Sequence, residues 1–417
     1  MLHGAAALSR LNSTSRPQTN TQTHTMNSVL TPTLQRYFKP QEANGKGRFD
    51  ICATASNNHA AATERGVLLL GFDWGTNKTC LKGAFGGKHE LATDRVIPTL
   101  VGYAKDGVVD GLLPENASVL FGEPAIQHRL HLNLVQPMVD GVIKDAEAAR
   151  DFARYLRSLM DTSVGTEVRA VIGVPANADT HARESLREAV AGLFDRVILI
   201  PEPFLAAMGF RDESRLNDPD YVDPVRNSLF VDIGGGTTDF CLVQGYFPTP
   251  EEQVSLPFAG DKVDALLHAA IRKTYPDCEL TTFKVRELKE QHSFVGTPAA
   301  PAVGDVMVNG KLRRIDLTEQ VAYACGALLE QILARVKQLI SKASPDSVGE
   351  LLQNIILTGG GSRIRGLDTE LQRLLTAEGY EQPCVRRTGD RYQEFVALGA
   401  LKAARQAREN QWQQVIK

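Results

Sequence analysis

The sequence has no long hydrophobic run, no closely paired cysteines and no block of basic residues. No apolar stretch approaches the roughly 20 residues that a membrane-spanning helix requires, so no transmembrane segment is predicted. The 6 cysteines are scattered without a C-x-x-C pair. That scatter disfavours a zinc site or a disulfide framework and is typical of a reducing compartment. The formal net charge of -3, without a basic patch, argues against nucleic acid as a partner.

The remaining composition is that of a soluble globular protein, except at the N-terminus. The 417 residues, 43% of them hydrophobic and 23% charged, are enough for more than one domain. Residues 1–65 are rich in Thr, Ser, Asn, Gln and Ala and contain no acidic residue before Glu42. We predict that they form a disordered extension, with an organelle transit peptide as the alternative. Met26 is an alternative start.

The most informative segment is a glycine-rich hairpin at residues 228–243, SLFVDIGGGTTDFCLV. Glycines without a Cβ permit a tight turn whose backbone N–H groups approach an anion closely. Threonine hydroxyls and flanking carboxylates complete a phosphate cradle with an acid placed for a metal ion or its water shell. An ordinary glycine-rich hairpin is the alternative for this segment taken alone. The residues concerned are Asp232, Gly234, Gly235, Gly236, Thr237, Thr238 and Asp239.

Two related segments strengthen this interpretation. An earlier strand at residues 67–72 also ends in an aspartate and a turn, followed by a second strand at 79–84. A third glycine cluster follows a strand at 354–358 and leads into a helix predicted from about Leu367, where glycines would let a flat ring approach the backbone. The repetition predicts two related halves that face each other across a cleft. The residues are Asp73, Gly75, Thr76 and Asn77 in the first segment, and Gly359, Gly360 and Gly361 in the third.

These three motifs, in this order, resemble the actin, sugar kinase and heat-shock ATPase superfamily. The segments PMVDGVIKD, VIGVPANADTHARESLREAV and VILIPEPFLAAMGF are similar to its bacterial actin branch. Within that branch, KEQHSFVGTP and LQNIILTGGGSRIRGL look most like the actins that align magnetosomes in magnetotactic bacteria. The resemblance implies an α/β, actin-like (ribonuclease H-like) fold. It implies domain I at 66–226, domain II at 227–391, and a C-terminal helix at 392–417 that packs back on domain I.

The resemblance also implies an ATP or ADP site with Mg²⁺, held largely through water near Asp73 and Asp232. Backbone N–H groups of the first two glycine turns would hold the β- and γ-phosphates. Asn77 occupies a position where relatives often have a small hydroxyl or alanine. For the helix that carries the charged contacts, a solvated charged face is the alternative. The remaining implied nucleotide contacts are Asp264, Arg286, Lys289, Glu290 and Arg363.

Glu202 is the predicted water-activating residue, acting beside Asp232. It follows a strand and lies between Pro201 and Pro203, which stiffen its backbone. It matches the glutamate that orients the attacking water in bacterial actins. The alternative is a loop glutamate that stabilises the positive end of the helix beginning at Pro203.

The predicted function is an ATP-hydrolysing bacterial actin that assembles head to tail into cytoplasmic filaments. Filaments alongside magnetosome membranes, with cargo or adaptor proteins as partners, are one expectation, and a cell-shape actin is an alternative. A chaperone-type ATPase would need a substrate-binding domain, and a metabolite kinase would need a substrate pocket with a base. Neither is evident in the sequence, and the tail RQARENQWQQVIK is too short to be persuasive as a membrane anchor.

Overall fold

The structure is a computed structural model that describes residues 66–415 except 161, 163 and 164. The predicted N-terminal extension therefore lies outside the described residues. Among the residues described, no helix is both long enough and apolar enough to cross a membrane.

The described chain alternates strands and helices. The strands are β1 (Val67–Trp74), β2 (Lys78–Phe85), β3 (Thr93–Pro98), β4 (Val101–Ala104), β5 (Val119–Phe121), β6 (Leu132–Val135), β7 (Met138–Val139), β8 (Val142–Ile143), β9 (Glu167–Val174), β10 (Arg196–Pro201), β11 (Ser228–Ile233), β12 (Thr238–Val243), β13 (Gln253–Leu256), β14 (Cys278–Glu279), β15 (Val303–Val308), β16 (Lys311–Asp316), β17 (Ile355–Thr358), β18 (Val385–Arg387) and β19 (Gln413–Gln414). The α-helices are α1 (Glu123–Gln127), α2 (Ala146–Ser158), α3 (Thr180–Val190), α4 (Glu202–Phe210), α5 (Gly260–Thr274), α6 (Thr282–His292), α7 (Thr318–Ile340), α8 (Val348–Leu352), α9 (Leu367–Ala377) and α10 (Phe395–Gln406).

Two sheets with the same strand order form the framework. In the first, β10, β9 and β1 run parallel, and β2 and β3 continue antiparallel from β1. In the second, β18, β17 and β11 run parallel, and β12 and β13 continue antiparallel from β11. Both glycine hairpins therefore occupy the same place in their sheets. This arrangement confirms the predicted half-to-half repetition.

Continuous apolar sequence explains the burial of these strands. Every residue of β11 and β12 is buried, as expected for strands covered on both faces. Separate hydrophobic cores surround the first and second sheets. A third core contains residues of both sheets together with α4 and α10, which therefore pack between them. Helix α4, which begins at Glu202, thus lies at the junction of the two halves.

The C-terminal region differs from the single helix predicted at 392–417. The helix α10 ends at Gln406, and the chain then turns so that β19 pairs antiparallel with β10 at the edge of the first sheet. Trp412 is 7% exposed in the core between the sheets, and Arg169 pairs with Glu409. These tertiary contacts stabilise an extended tail where the local pattern favoured a helix. Packing of α10 against β1 and β9 agrees with the expectation for this helix.

Short strands in the connections were not predicted. The section at 94–134 contains a three-stranded sheet of β5, β4 and β6, and β14, β15 and β16 form another. The proposed domain limits at 226/227 and 391/392 stay a prediction.

Candidate functional site

The two glycine turns follow strands that end at equivalent places in the two sheets. The turn after β1 is tight, since a Cβ on Gly75 would lie 2.7 Å from the Lys78 carbonyl oxygen. Thr99 supports it by donating its hydroxyl to the Gly75 carbonyl at 2.8 Å. The turn after β11 closes through a 2.9 Å bond from the Gly234 N–H to the Thr237 carbonyl.

The two turns touch each other, which explains the need for glycine in the second. A Cβ on Gly235 would lie 2.1 Å from Asn77 Nδ2, and one on Gly236 would lie 2.7 Å from Thr76 Oγ1. No side chain fits in either place without moving the facing loop. The predicted facing arrangement of these two loops is therefore what the structure has.

Several backbone N–H groups in these turns have no acceptor. Within the described chain, those of Thr76, Asn77, Gly235 and Gly236 donate to no carbonyl or side chain. By contrast, the carbonyls of Gly234 and Gly235 accept hydrogen bonds from N–H groups at the start of α5, at 3.2 and 2.8 Å. Because buried backbone donors are normally paired, free N–H groups on two facing turns are suited to an anion.

Four acidic side chains surround this region, and their charges are not compensated. Burial raises the pKa of Asp73 to about 7. Burial raises the pKa of Glu202 well above its usual range, and the negative charges of the neighbouring aspartates raise it further. Asp232 is 9% exposed, and burial followed by its acidic neighbours raises its pKa in the same way.

Asp239 is the fourth acid. Burial raises its pKa to about 6, while hydrogen bonds from Thr237, Ser255 and the Ala176 N–H act in the opposite direction. The Ala176 N–H donates to Asp239 Oδ1 at 2.8 Å, which joins the loop after β9 to β12. In the part of the chain that the structure describes, no lysine, arginine or histidine offsets any of the four acids.

The charge of these acids favours a cation, although they do not chelate one by themselves. The described residues contain no group of three or more His, Cys, Asp or Glu side chains placed to hold a metal ion. A divalent cation here would need water and substrate oxygens to complete its coordination, which is how Mg²⁺ is commonly bound. This arrangement suits the predicted, largely water-mediated site at Asp73 and Asp232.

Glu202 begins α4 directly after β10. A Cβ on Gly173 would meet its Cγ at 3.0 Å, so its side chain lies over the neighbouring strand β9. The N-cap residue of this helix is Pro201, and Glu202 is the acid in its first turn, where a negative charge is favourable to the helix dipole.

The predicted contacts on α5 and α6 form one charged cluster. Lys289 Nζ lies 2.8 Å from Asp264 Oδ1, and Arg286 Nε lies 3.3 Å from Asp264 Oδ2. Arg286 also bonds Asp261 at 3.0 Å. Arg286 and Lys289 therefore lie on the same face of α6, whereas Glu290 is exposed.

The third glycine cluster lies against the end of β11. A Cβ on Gly359 would meet Asp232 Oδ1 at 2.4 Å, and one on Gly361 would meet Ile233 Cγ2 at 2.1 Å. Two of these three glycines are thus required by packing against the end of β11, a reason that the sequence did not indicate. Gly360 faces Tyr392 instead, with 3.8 Å from its Cβ position to the ring.

Two implied contacts have other partners in the structure. Thr238 is fully buried, and its hydroxyl donates to the Phe258 carbonyl at 2.8 Å. That hydrogen bond is made within the second half, and the contribution of Thr238 to a phosphate cradle stays a prediction. Arg363 forms an ion pair with Asp390.

Sequence reasoning missed two polar residues that the fold brings to the turns. Asp261 accepts from Asn77 Nδ2 at 3.1 Å, and Gln136 donates to Asn77 Oδ1 at 3.3 Å. Asp261 lies three residues before the predicted contact Asp264, but only the fold shows that it meets the first turn.

Comparison with known proteins identifies the family. Residues 119–410 match the model of the MreB/Mbl protein family. The chain is 33% identical to the actin-like protein MamK of Paramagnetospirillum magneticum, over 84% of this chain and 95% of that protein. It is 34% identical to the actin-like protein MamK of Magnetospirillum gryphiswaldense, over 72% of this chain and 79% of that protein.

Solved structures agree with this family assignment. The MamK double helical filament is similar with a TM-score of 0.74 and 32% identity, covering 82% of this chain and 99% of that one. A non-polymerising MamK mutant bound to AMPPNP gives a TM-score of 0.59 with 32% identity over the same shares. These likenesses confirm the predicted actin-like fold. The chain belongs to the MreB/Mbl family of bacterial actin-like proteins and is similar to MamK.

Proposed function

We propose that this protein binds ATP between its two glycine turns, hydrolyses it to ADP and phosphate, and assembles with copies of itself into cytoplasmic cytoskeletal filaments. The observation that carries the proposal is the pair of facing turns with free backbone N–H groups beside four uncompensated acids. A triphosphate supplies the acceptors that these N–H groups lack. Its bound Mg²⁺ supplies the positive charge that the acids lack.

The described residues fit both groups. Free N–H groups of Thr76, Asn77, Gly235 and Gly236 would hold phosphate oxygens, and Asp73 and Asp232 would hold Mg²⁺ through its water shell. When bound, Mg²⁺ neutralises charge that develops on the phosphates. The cluster of Asp264, Arg286 and Lys289, with Glu290 and the turn Gly359–Gly361, would contact the nucleoside.

Glu202 would orient the attacking water and accept its proton. The water oxygen bonds to the γ-phosphorus while the bond from that phosphorus to the β–γ bridging oxygen breaks, which releases ADP and phosphate. The raised pKa of Glu202 makes its carboxylate a stronger base than an exposed glutamate. Its place at the end of β10, stiffened by Pro201, supports this role.

Filament assembly is supported by the relatives. One of the most similar structures is a double helical filament, and a head-to-tail contact that does not close into a ring produces a filament from identical subunits. MamK relatives at 33% and 34% identity support an association with magnetosomes or their adaptor proteins. Cell-shape actins are more distant, for example 26% identical for MreB of Escherichia coli.

The test has three measurements on the purified full chain. Calorimetry with Mg-ATP should detect binding, phosphate release should require Glu202, and Mg-ATP should produce pelletable filaments visible by electron microscopy. Glu202→Gln should keep nucleotide affinity but lower phosphate release about 100-fold, the loss expected for a general base. Glu330→Gln is the matched control, because Glu330 is exposed on α7 and has no ion pair among the described residues.

Each outcome tests one part of the proposed function. No uptake of ATP at millimolar concentration contradicts the proposed site. Unchanged phosphate release by Glu202→Gln removes Glu202 from the reaction. A persistent monomer with Mg-ATP contradicts filament assembly while leaving the ATPase intact.

A further inference from the structure

The Asn77 side chain joins the two halves of the protein directly. Its Nδ2 donates to Asp261 Oδ1 at 3.1 Å, across the boundary between the two glycine turns. Its Oδ1 accepts from Gln136 Nε2 at 3.3 Å. The amide orientation follows from these partners, because an ionised carboxylate only accepts hydrogen bonds and the Gln136 amide nitrogen only donates them.

Asp261 is firmly attached to the second half. Its backbone N–H donates to the Gly235 carbonyl at 2.8 Å, and its carboxylate bonds Arg286 at 3.0 Å. It lies in the first turn of α5, which packs into the second core through residues such as Val263. A bond from Asn77 to Asp261 therefore holds the first turn against the second sheet and its helices.

The position of Asn77 over Gly235 makes this contact specific to the phosphate turns. Nδ2 lies 2.1 Å from where a Gly235 Cβ would be, so the carboxamide covers the glycine whose N–H is free. The amide has two N–H groups, and only one of them has an acceptor among the described residues. The contact thus leaves one amide N–H of Asn77 beside the proposed phosphate site.

We propose that Asn77 is a positioning residue that latches the two phosphate turns together through Asp261 before nucleotide binds. The latch keeps the cleft closed in the nucleotide-free protein and slows the release of a bound nucleotide. The second consequence rests on the proposed function, whereas the first does not.

Apart from the bond from the Ala176 N–H to Asp239, an exposed contact between the halves serves as a comparison. The Arg129 guanidinium lies 5.8 Å from the centre of the Phe283 ring. Arg129 is exposed and Phe283 is 37% exposed, so this contact is weak in water. The half-buried pair of Asn77 and Asp261 therefore contributes more to closure.

The experiment measures backbone hydrogen exchange in the nucleotide-free full chain. The reporters are the amides of Gly260 and Asp261, whose hydrogen bonds to the Gly234 and Gly235 carbonyls hold the second turn to α5. Asn77→Ala should speed their exchange about 10-fold, as expected for loss of a partly buried hydrogen bond to a carboxylate. Asn133→Ala is the control, since Asn133 is exposed on β6 and should leave exchange unchanged.

A double-mutant cycle distinguishes a latch from two independent effects. With a latch, Asn77→Ala should add little to Asp261→Ala, because either change breaks the same bond. The swap Asn77→Asp with Asp261→Asn should recover most of the protection, since it restores one hydrogen bond with donor and acceptor exchanged. Asn77→Asp alone should open the cleft further by placing two carboxylates face to face.

The outcomes either support or overturn the proposal. Unchanged exchange in Asn77→Ala, or fully additive effects of the two substitutions, overturns the latch. If Asn77→Ala lowers the melting temperature too far for exchange measurements, the swap variant decides by its recovery or lack of it. Release of a fluorescent ADP analogue should be about 10-fold faster in Asn77→Ala. Absence of any analogue binding contradicts the proposed function alone, because the exchange result stands without nucleotide.

Discussion

The protonation of Asp73 makes the stability of the nucleotide-free protein depend on pH in an unusual direction. Burial raises the pKa of this side chain from 3.8 to about 7. The folded state therefore holds a proton that the unfolded state has already lost between about pH 4 and pH 7. The resulting stabilisation is present at acidic pH and is lost as the pH rises through 7.

The pKa values give the size of this effect. A difference of one pKa unit corresponds to about 1.4 kcal/mol, and most of the difference for Asp73 falls inside the range from pH 5 to pH 8. The free energy of unfolding should therefore fall by about 3 kcal/mol over that range because of Asp73. Asp239, with its pKa raised to about 6, should add about 1 kcal/mol in the same direction.

Urea unfolding followed by circular dichroism at pH 5, 6.5 and 8 measures this prediction. Asparagine has nearly the same shape as aspartate but cannot titrate. Between pH 5 and pH 8 the free energy of unfolding of Asp73→Asn should therefore fall by about 3 kcal/mol less than that of the wild type. Asp106→Asn is the control, because Asp106 is exposed in a turn. Parallel pH curves for the wild type and Asp73→Asn would show that the folded carboxyl is not protonated in this range, and the reasoning would fail.

Two further predictions concern packing and a buried ion pair. Gly399→Ala should destabilise the protein by about 3 kcal/mol in thermal unfolding, because its Cβ would lie 1.9 Å from the Leu205 carbonyl oxygen on α4. Gly326→Ala is the control, because a Cβ there meets nothing within 4 Å. Equal melting temperatures of the two variants would contradict the tight crossing of α10 and α4. Glu394→Gln should cost about 2 kcal/mol at pH 7 in urea unfolding, because Lys82 is 2% exposed and bonds Glu394 at 3.0 Å. The pKa of Glu394 is lowered to about 2, first by Arg391 and then by Lys82, so its stabilisation should disappear as the pH falls from about 4.5 towards 2. If Glu394→Gln lowered the free energy of unfolding equally at pH 7 and pH 2.5, the predicted role of the Glu394 carboxylate would be contradicted.

The sequence was sufficient for the elements that local patterns specify. Continuous apolar runs that end in an aspartate and glycines predicted both hairpins, and the structure has them at β1–β2 and β11–β12. The strand predicted at 354–358 is present at Ile355–Thr358, and the helix predicted from about Leu367 begins at that residue. These features depend on neighbouring residues, which is why they can be read from one chain.

Other features depend on contacts between distant segments and left no local signal. Strands of three or four residues, such as β4 and β5, are too short to show a hydrophobic period. The bond between Asn77 and Asp261 joins positions 184 residues apart. The tail after Gln406 contains no glycine or proline to end a helix, yet burial of Trp412 and pairing with β10 override its helical pattern.

The tail strand β19 also has a consequence for how the first sheet meets its surroundings. It hydrogen-bonds to Arg196 and Val197 on β10 and so occupies part of the backbone edge that would otherwise accept a foreign strand. Any neighbour that extends this sheet by strand addition would have to displace Gln413 and Gln414 or use the opposite border at β3. A bulky fusion placed directly after these residues would therefore crowd the edge of the first sheet at β10, the strand that Glu202 follows, and a reporter domain should be joined through a long flexible linker.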